Sequence, residues 1–196
     1  MKPRTFVLVT LLAVSSLCAG LLAAWGAAHP GVSRPDTLAE GLRELEPFVG
    51  YRWEIETQWL DGTPLKGVNE YRAVMGGQFV EARTWASAPD GSMYQRYTTL
   101  FAYDKQSDTI RTFGFNHDGT TTQAQVAIAN DPAGGYPLLR SWWIADFGGQ
   151  RVEIRQEVQM KDAESYAWKV WSAEPGSGTL NPMMNATWRR AARLTD

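Results

Sequence analysis

The sequence predicts an all-β domain of about ten short strands, and three of its features lead to that expectation. Aromatic residues make up 12% of the 196 residues, and 18 glycines and 10 prolines recur between short apolar runs. This balance is typical of strands joined by tight turns. Turn-forming clusters divide the chain after residue 50 into ten strand-length segments with no crossover helix between them.

Composition and charge exclude two broad classes of protein. With 44% hydrophobic residues, the chain can bury one sizeable core, so intrinsic disorder is excluded. A formal net charge of −2 provides no basic surface to neutralise phosphates, so no nucleic-acid partner is expected.

The first 28 residues differ from the rest of the chain. Lys2 and Arg4 precede an uncharged stretch over residues 5–28, a pattern typical of an export signal. Because the stretch is longer than a usual secretory core, two alternatives stay open: a signal peptide cleaved before His29, or an N-terminal membrane anchor. In either case the positive-inside rule places the following domain outside the cytoplasm, either periplasmic or secreted.

The remaining chain divides into a linker and one domain. Residues 29–36 contain proline and glycine without any apolar period, which indicates a linker, and residues 37–196 form the predicted domain. Cys18 lies in the leader, so the exported part has no cysteine. Disulfides and cysteine-bound metals are therefore excluded there.

A short amphipathic helix is predicted at the start of the domain. Residues 37–40 fit a capping box, in which the Thr and Glu side chains satisfy each other's backbone donors. Leu38, Leu42 and Leu45 follow at helical spacing, and Pro47 should end the helix after about ten residues.

After the helix the apolar period changes to two. Trp53, Ile55, Thr57 and Trp59 alternate with polar residues, as in a half-buried strand. Ten strands joined by hairpins can close into an up-and-down barrel or stack as two sheets, and the spacing leaves both architectures open. A barrel of that size would enclose a cavity unless its own aromatic residues fill it.

Five segments carry a resemblance to a known family. They are Phe48–Glu54, Val74–Glu81, Leu100–Asp104, Asp118–Thr120 and Ala186–Arg190, spread over roughly residues 45–192. These segments resemble those of uncharacterised bacterial lipocalin-like proteins, which are distantly akin to haem-binding ten-stranded barrels. The resemblance implies an up-and-down antiparallel β-barrel of about ten strands, preceded by the short helix.

The resemblance also implies a closed end of the barrel. In lipocalin-like barrels the opening tryptophan packs there beneath a basic residue from the last strand. These roles fall on Trp53 and on Arg189 or Arg190 in this sequence. A cation–π contact would stabilise such a pair.

The candidate ligand-binding residues are aromatic, cationic or imidazole side chains on strand faces or turns that border a cavity. They are Trp59, Arg96, Tyr97, Arg111, Phe113, His117 and Trp168. A buried arginine requires a carboxylate or an acidic ligand as its partner. An inward arginine would therefore orient an acidic head group, whereas an outward one would be part of an ordinary charged surface.

Catalytic and cofactor motifs are missing from the sequence. It has no zincin helix, Walker loop, nucleophile elbow or dinucleotide fingerprint. His117 lies in a turn-like segment, where an exposed turn residue and a residue at the cavity rim are both open. The haem-binding relatives carry their axial histidine near the C-terminus, but residues 180–196 contain no histidine. Neither haem, nor another cofactor, nor a metal is therefore expected.

These observations predict an extracytoplasmic lipocalin-like protein that binds a small apolar or amphipathic molecule, with or without an acidic group. Membrane contact is expected only through an uncleaved leader. Two alternatives stay open: an enzyme acting on a lipid-like or carbonyl substrate in the same cavity, or a filled structural barrel of the cell envelope that binds a partner through exposed aromatics.

Overall fold

The computed structural model describes residues 37–88, 90–130, 135–147 and 149–195. The predicted leader and linker, residues 1–36, lie outside this part of the chain. Within it, no helix has both the length and the apolar character needed to cross a membrane.

A 3₁₀ helix, Glu40–Phe48, precedes ten antiparallel strands. The strands are β1 (Tyr51–Gln58), β2 (Pro64–Val74), β3 (Phe79–Ser87), β4 (Met93–Asp104), β5 (Thr109–Asn116), β6 (Thr121–Ala129), β7 (Leu138–Phe147), β8 (Gln150–Asp162), β9 (Ser165–Ala173) and β10 (Asn181–Arg193).

The ten strands form a closed up-and-down barrel. Each strand pairs with its neighbours in the sequence, and β1 also pairs antiparallel with β10. Closure satisfies both edges of the sheet. The predicted all-β barrel of about ten strands behind one short helix is confirmed, and the arrangement of two stacked sheets is excluded.

The helix differs from its prediction at both ends. Pro47 lies inside it, and the residue before it is Ala39, which has no side-chain cap, so the predicted capping box is wrong. The Ala39 N–H instead donates to the carbonyl oxygen of Gly77, at 3.0 Å. Gly77 has φ +80°, and a Cβ there would lie 2.6 Å from the Thr37 carbonyl oxygen. Only glycine permits this close approach, so a barrel turn holds the start of the helix.

One end of the barrel is packed and covered by the helix, and we call it the helix end. Leu42, Leu45 and Phe48 of the helix pack there against Trp53, Ile110, Tyr166, Trp188 and neighbouring inward side chains. A smaller cluster lies nearer the opposite end, which we call the open end. It consists of Leu65, Ala86, Ile154, Val170 and Met184. The interior between them is where a cavity can remain.

Candidate functional site

The barrel encloses a cavity of ≈ 300 Å³, lined by inward side chains from the helix and from β2 to β10. This volume is at the lower end of the range for small-molecule sites. Small residues keep the space open at inward positions: Gly67, Ala82, Ala86, Gly114 and Ala124. A Cβ at Gly67 would lie 2.8 Å from the Trp188 ring, so this glycine makes room for an indole of the lining. The barrel is therefore hollow rather than filled by its own side chains.

One side of the cavity is apolar, and we call it the aromatic wall. Its residues are Trp59 after β1 and Leu139, Trp143, Ile154, Val158, Trp168, Val170, Met183 and Trp188 on β7 to β10. The Trp168 ring lies edge-on to two other indoles, 6.0 Å from Trp59 and 5.9 Å from Trp188. Its indole N–H donates to Gln156 Oε1 at 2.9 Å. These contacts fix the rings as a rigid apolar surface.

The other side carries four polar residues that face one another across β2 to β5, and we call them the polar row. They are Asn69, Thr84, Tyr97 and Asn116, paired in that order. The Thr84 hydroxyl donates to Asn69 Oδ1 at 2.7 Å, and Asn69 Nδ2 donates to the hydroxyl of Tyr166 at 3.1 Å. Such bonds are required because a buried polar group without a partner is costly.

Three tyrosines lie in and beside this row. Burial raises the pKa of Tyr71, Tyr97 and Tyr166 above the usual value for a phenol. The cause is desolvation, which penalises the charged phenolate more than the neutral hydroxyl. All three side chains therefore present neutral hydroxyl groups to the cavity.

Arg96 is the one charged residue among the lining residues that the structure describes. It occupies a β-bulge: Thr84 faces Tyr97 and Trp85 faces Gln95, so Arg96 is an extra residue in β4. A bulge re-aims a side chain, which explains how both Arg96 and Tyr97 border the cavity although they are consecutive. In the described ranges, the ion pairs join other cations to carboxylates, and none includes Arg96.

Four of the seven predicted ligand-binding residues line the cavity: Trp59, Arg96, Tyr97 and Trp168. They come from both sides of the cavity, with the two tryptophans in the aromatic wall and Tyr97 in the polar row. Their placement gives the cavity its aromatic, hydroxyl and cationic character.

The assignment of Arg111, Phe113 and His117 to the cavity is corrected. On β5 the residues that line it are Thr112, Gly114 and Asn116, so Arg111 and Phe113 lie on the outer face. Arg111 forms an ion pair there with Asp104, with 2.9 Å between Nε and Oδ2. His117 begins the turn after β5, is exposed, and contacts the ring of Tyr94 at 5.1 Å.

Trp53 and Arg190 lie together at the helix end. Trp53 is fully buried, and its indole N–H donates to the Phe48 carbonyl oxygen at 3.1 Å. A bulge in the β1 and β10 pairing places Arg190 opposite Trp53. The Arg190 Cζ lies 5.2 Å from the Trp53 ring centroid and 3.7 Å from that of Tyr51. Arg189 is exposed on the opposite face, so Arg190 holds the position beside the tryptophan.

Sequence reasoning missed the polar residues deepest in the cavity: Asn69, Tyr71, Thr84 and Tyr166. A usable signal was present in their surroundings. Along β2 and β3, Asn69, Tyr71 and Thr84 share the inner face with Gly67, Ala82 and Ala86. Small residues at every second position mark the inner face of a hollow barrel.

The described residues contain no group of three His, Cys, Asp or Glu side chains arranged to hold a metal ion.

No protein-family model matches this sequence, and no curated protein matches it. One solved structure that the chain matches is described as "Structure of EF1p2_mFAP2b bound to DFHBI". It is 10% identical in sequence, with a TM-score of 0.36, and the match covers 76% of this chain and 98% of that chain. The strand pairing, rather than this distant match, establishes the barrel. The lipocalin-like resemblance stays a prediction.

Proposed function

We propose that this chain is an extracytoplasmic, lipocalin-like binding protein that holds a small apolar or amphipathic molecule in its barrel cavity. One observation carries the proposal. The cavity of ≈ 300 Å³ combines a rigid aromatic wall with one cation, Arg96, among the lining residues that the structure describes. An apolar body would pack against the wall, and an acidic head group would lie beside the arginine at the open end.

The chemistry of the lining favours binding over catalysis. Its described residues include no carboxylate and no imidazole. Acid–base catalysis works best with a group whose pKa lies near the working pH, whereas burial raises the pKa of Tyr71, Tyr97 and Tyr166 further above it. The hollow interior likewise favours a binder over a filled structural barrel.

The effect of Arg96 on affinity should be modest. The residue is exposed to solvent, and its charge is therefore screened. No protein carboxylate competes for it among the ion pairs of the described chain. A carboxylate ligand would gain about 1 kcal/mol over its uncharged ester, or about fivefold in affinity.

Decanoic acid should bind saturably, one molecule per chain, and about fivefold more tightly than methyl decanoate. Titration followed by tryptophan emission measures this, because Trp59, Trp143 and Trp168 line the cavity. Arg96→Met should abolish the preference for the acid. Arg111→Met is the matched control, since Arg111 pairs with Asp104 on the outer face, and it should keep the preference.

A ratio of acid to ester affinity that is the same in the unaltered protein and in Arg96→Met would show that Arg96 does not select an acidic head. If neither compound saturates, and xenon finds no internal site in a crystal, the binding function itself is wrong. Turnover of either compound would point to the enzyme instead.

Export is the second part of the proposal, and it rests on the charge pattern of residues 1–28. Alkaline phosphatase fused after Asp196 should be active in a Gram-negative host, because that enzyme is active only outside the cytoplasm. The same fusion without residues 1–28 should be inactive. High activity of β-galactosidase at this junction would contradict export.

A further inference from the structure

Two tyrosines stand at the floor of the cavity, next to the packed helix end. The Tyr71 ring lies 5.5 Å from that of Phe48, and the Tyr166 ring stacks on that of Trp188 at 5.8 Å. Both residues also line the cavity. Because the aromatic core holds the two rings, their hydroxyl groups occupy fixed positions. We call Tyr71 and Tyr166 the tyrosine pair.

At least one hydroxyl proton of the tyrosine pair has no acceptor among the hydrogen bonds of the described residues. The two hydroxyls lie close enough to interact, and a hydrogen bond between them would use only one of their two protons. The Tyr166 oxygen also accepts a bond from Asn69 Nδ2, and Asn69 Oδ1 is already engaged by the Thr84 hydroxyl. Asn69 thus supplies the pair with a donor. One hydroxyl proton remains for an acceptor within the cavity.

The protein offers little to accept that proton. The lining that the structure describes contains no carboxylate, and the amide oxygen beside the pair, Asn69 Oδ1, already accepts from the Thr84 hydroxyl. An acceptor brought by the ligand would complete the network. An anion is a poor candidate at this depth because it would be buried without a cation, and Arg96 lies near the start of β4, away from the helix end.

We propose that the tyrosine pair is a subsite for an uncharged oxygen acceptor, so that the ligand class is an apolar molecule with a carbonyl oxygen at its buried end. This inference rests on the proposed binding function and refines it. A ketone, quinone or ester oxygen would accept the remaining hydroxyl proton. The apolar body would then lie against the aromatic wall, and any acidic group would reach toward Arg96.

A pair of probes that differ in one oxygen tests the subsite. The probes are 2-acetonaphthone and 2-ethylnaphthalene, which are similar in size and shape, and calorimetric titration gives both affinities. The ketone should bind about three- to tenfold more tightly, as expected for one hydrogen bond between uncharged groups. When the ketone is bound, its carbonyl stretching band should also lie at lower wavenumber than in an apolar solvent such as hexane, a readout that needs no variant.

The double variant Tyr71→Phe/Tyr166→Phe should remove the advantage of the ketone over 2-ethylnaphthalene. Both hydroxyls must be removed, because either one can donate its proton to the ketone oxygen. Tyr103→Phe is the matched control, since that hydroxyl contacts Asp108 and the residue does not line the cavity. It should keep the advantage.

The outcomes separate this inference from the binding function. If both probes bind the unaltered protein equally, or the carbonyl band of the bound ketone lies where it does in hexane, the subsite is wrong and the binding function stands. An advantage that persists in a folded double variant would also overturn the subsite. If neither probe binds, the subsite and the binding function fall together.

Discussion

Replacing Trp53 by alanine should lower the free energy of unfolding by about 3–5 kcal/mol, as for other fully buried large aromatics. The side chain has 0% exposure and packs 5.0 Å from the ring of Tyr166. Its indole N–H also holds the Phe48 carbonyl at the end of the helix. Truncation leaves a void where the helix closes the barrel. Urea unfolding, with the slope of the transition compared between variants, measures the loss.

Trp142→Ala is the control for this prediction. Trp142 lies on the outer face of β7 with 43% exposure, so its removal should change the free energy of unfolding by less than about 0.5 kcal/mol. A loss below about 1 kcal/mol for Trp53→Ala would mean that Trp53 does not fill the helix end. The role of Trp53 in closing the barrel would then be wrong.

The strands could be predicted from the sequence because their signals are local. A turn cluster such as Asp61–Pro64 and an alternating run such as Trp53–Trp59 each act within a few residues. Closure of the barrel is different. The pairing of β1 with β10 joins residues such as Trp53 and Arg190, at opposite ends of the domain. Alternation alone therefore left a barrel and two stacked sheets equally open.

Alternation also separates the two faces of a strand without saying which one is inside. On β5, hydrophobicity favours Phe113 as an inward residue, yet Thr112 and Gly114 line the cavity. The usual rule assumes a filled core, and this interior is hollow, so small and neutral polar residues face inward. Phe113 is instead partly covered on the outside. Arg111 lies on the same face of β5 as Phe113, so the sequence suggests an inward position for it as well.

Two features of the site depend on register, which no local pattern reveals. Arg96 and Tyr97 border the same cavity only because of the bulge opposite Thr84. Asn69 reaches Tyr166 across 97 residues of sequence. Polar side chains from distant strands become one network only once the barrel has closed, so the tyrosine pair could not be predicted from spacing.

The proposed binding function depends on empty space in the cavity. A large side chain introduced on the inner face of β6 would fill that space. Ala124 lies on the inward face of β6, where it lines the cavity. Its cross-strand partner on β5 is Thr112, another lining residue. A large side chain at this position would occupy existing space and would not displace packed core atoms, so the barrel should tolerate it.

Ala124→Trp should therefore weaken the binding of decanoic acid at least tenfold, equal to about 1.4 kcal/mol, because the indole takes up much of the ≈ 300 Å³ that the ligand needs. Titration measures the affinity, and thermal unfolding confirms that the variant is folded. Ala127→Trp is the matched control: Ala127 is exposed on the outer face of the same strand, and binding should be unchanged. Unchanged affinity in a folded Ala124→Trp variant would place the ligand outside the barrel.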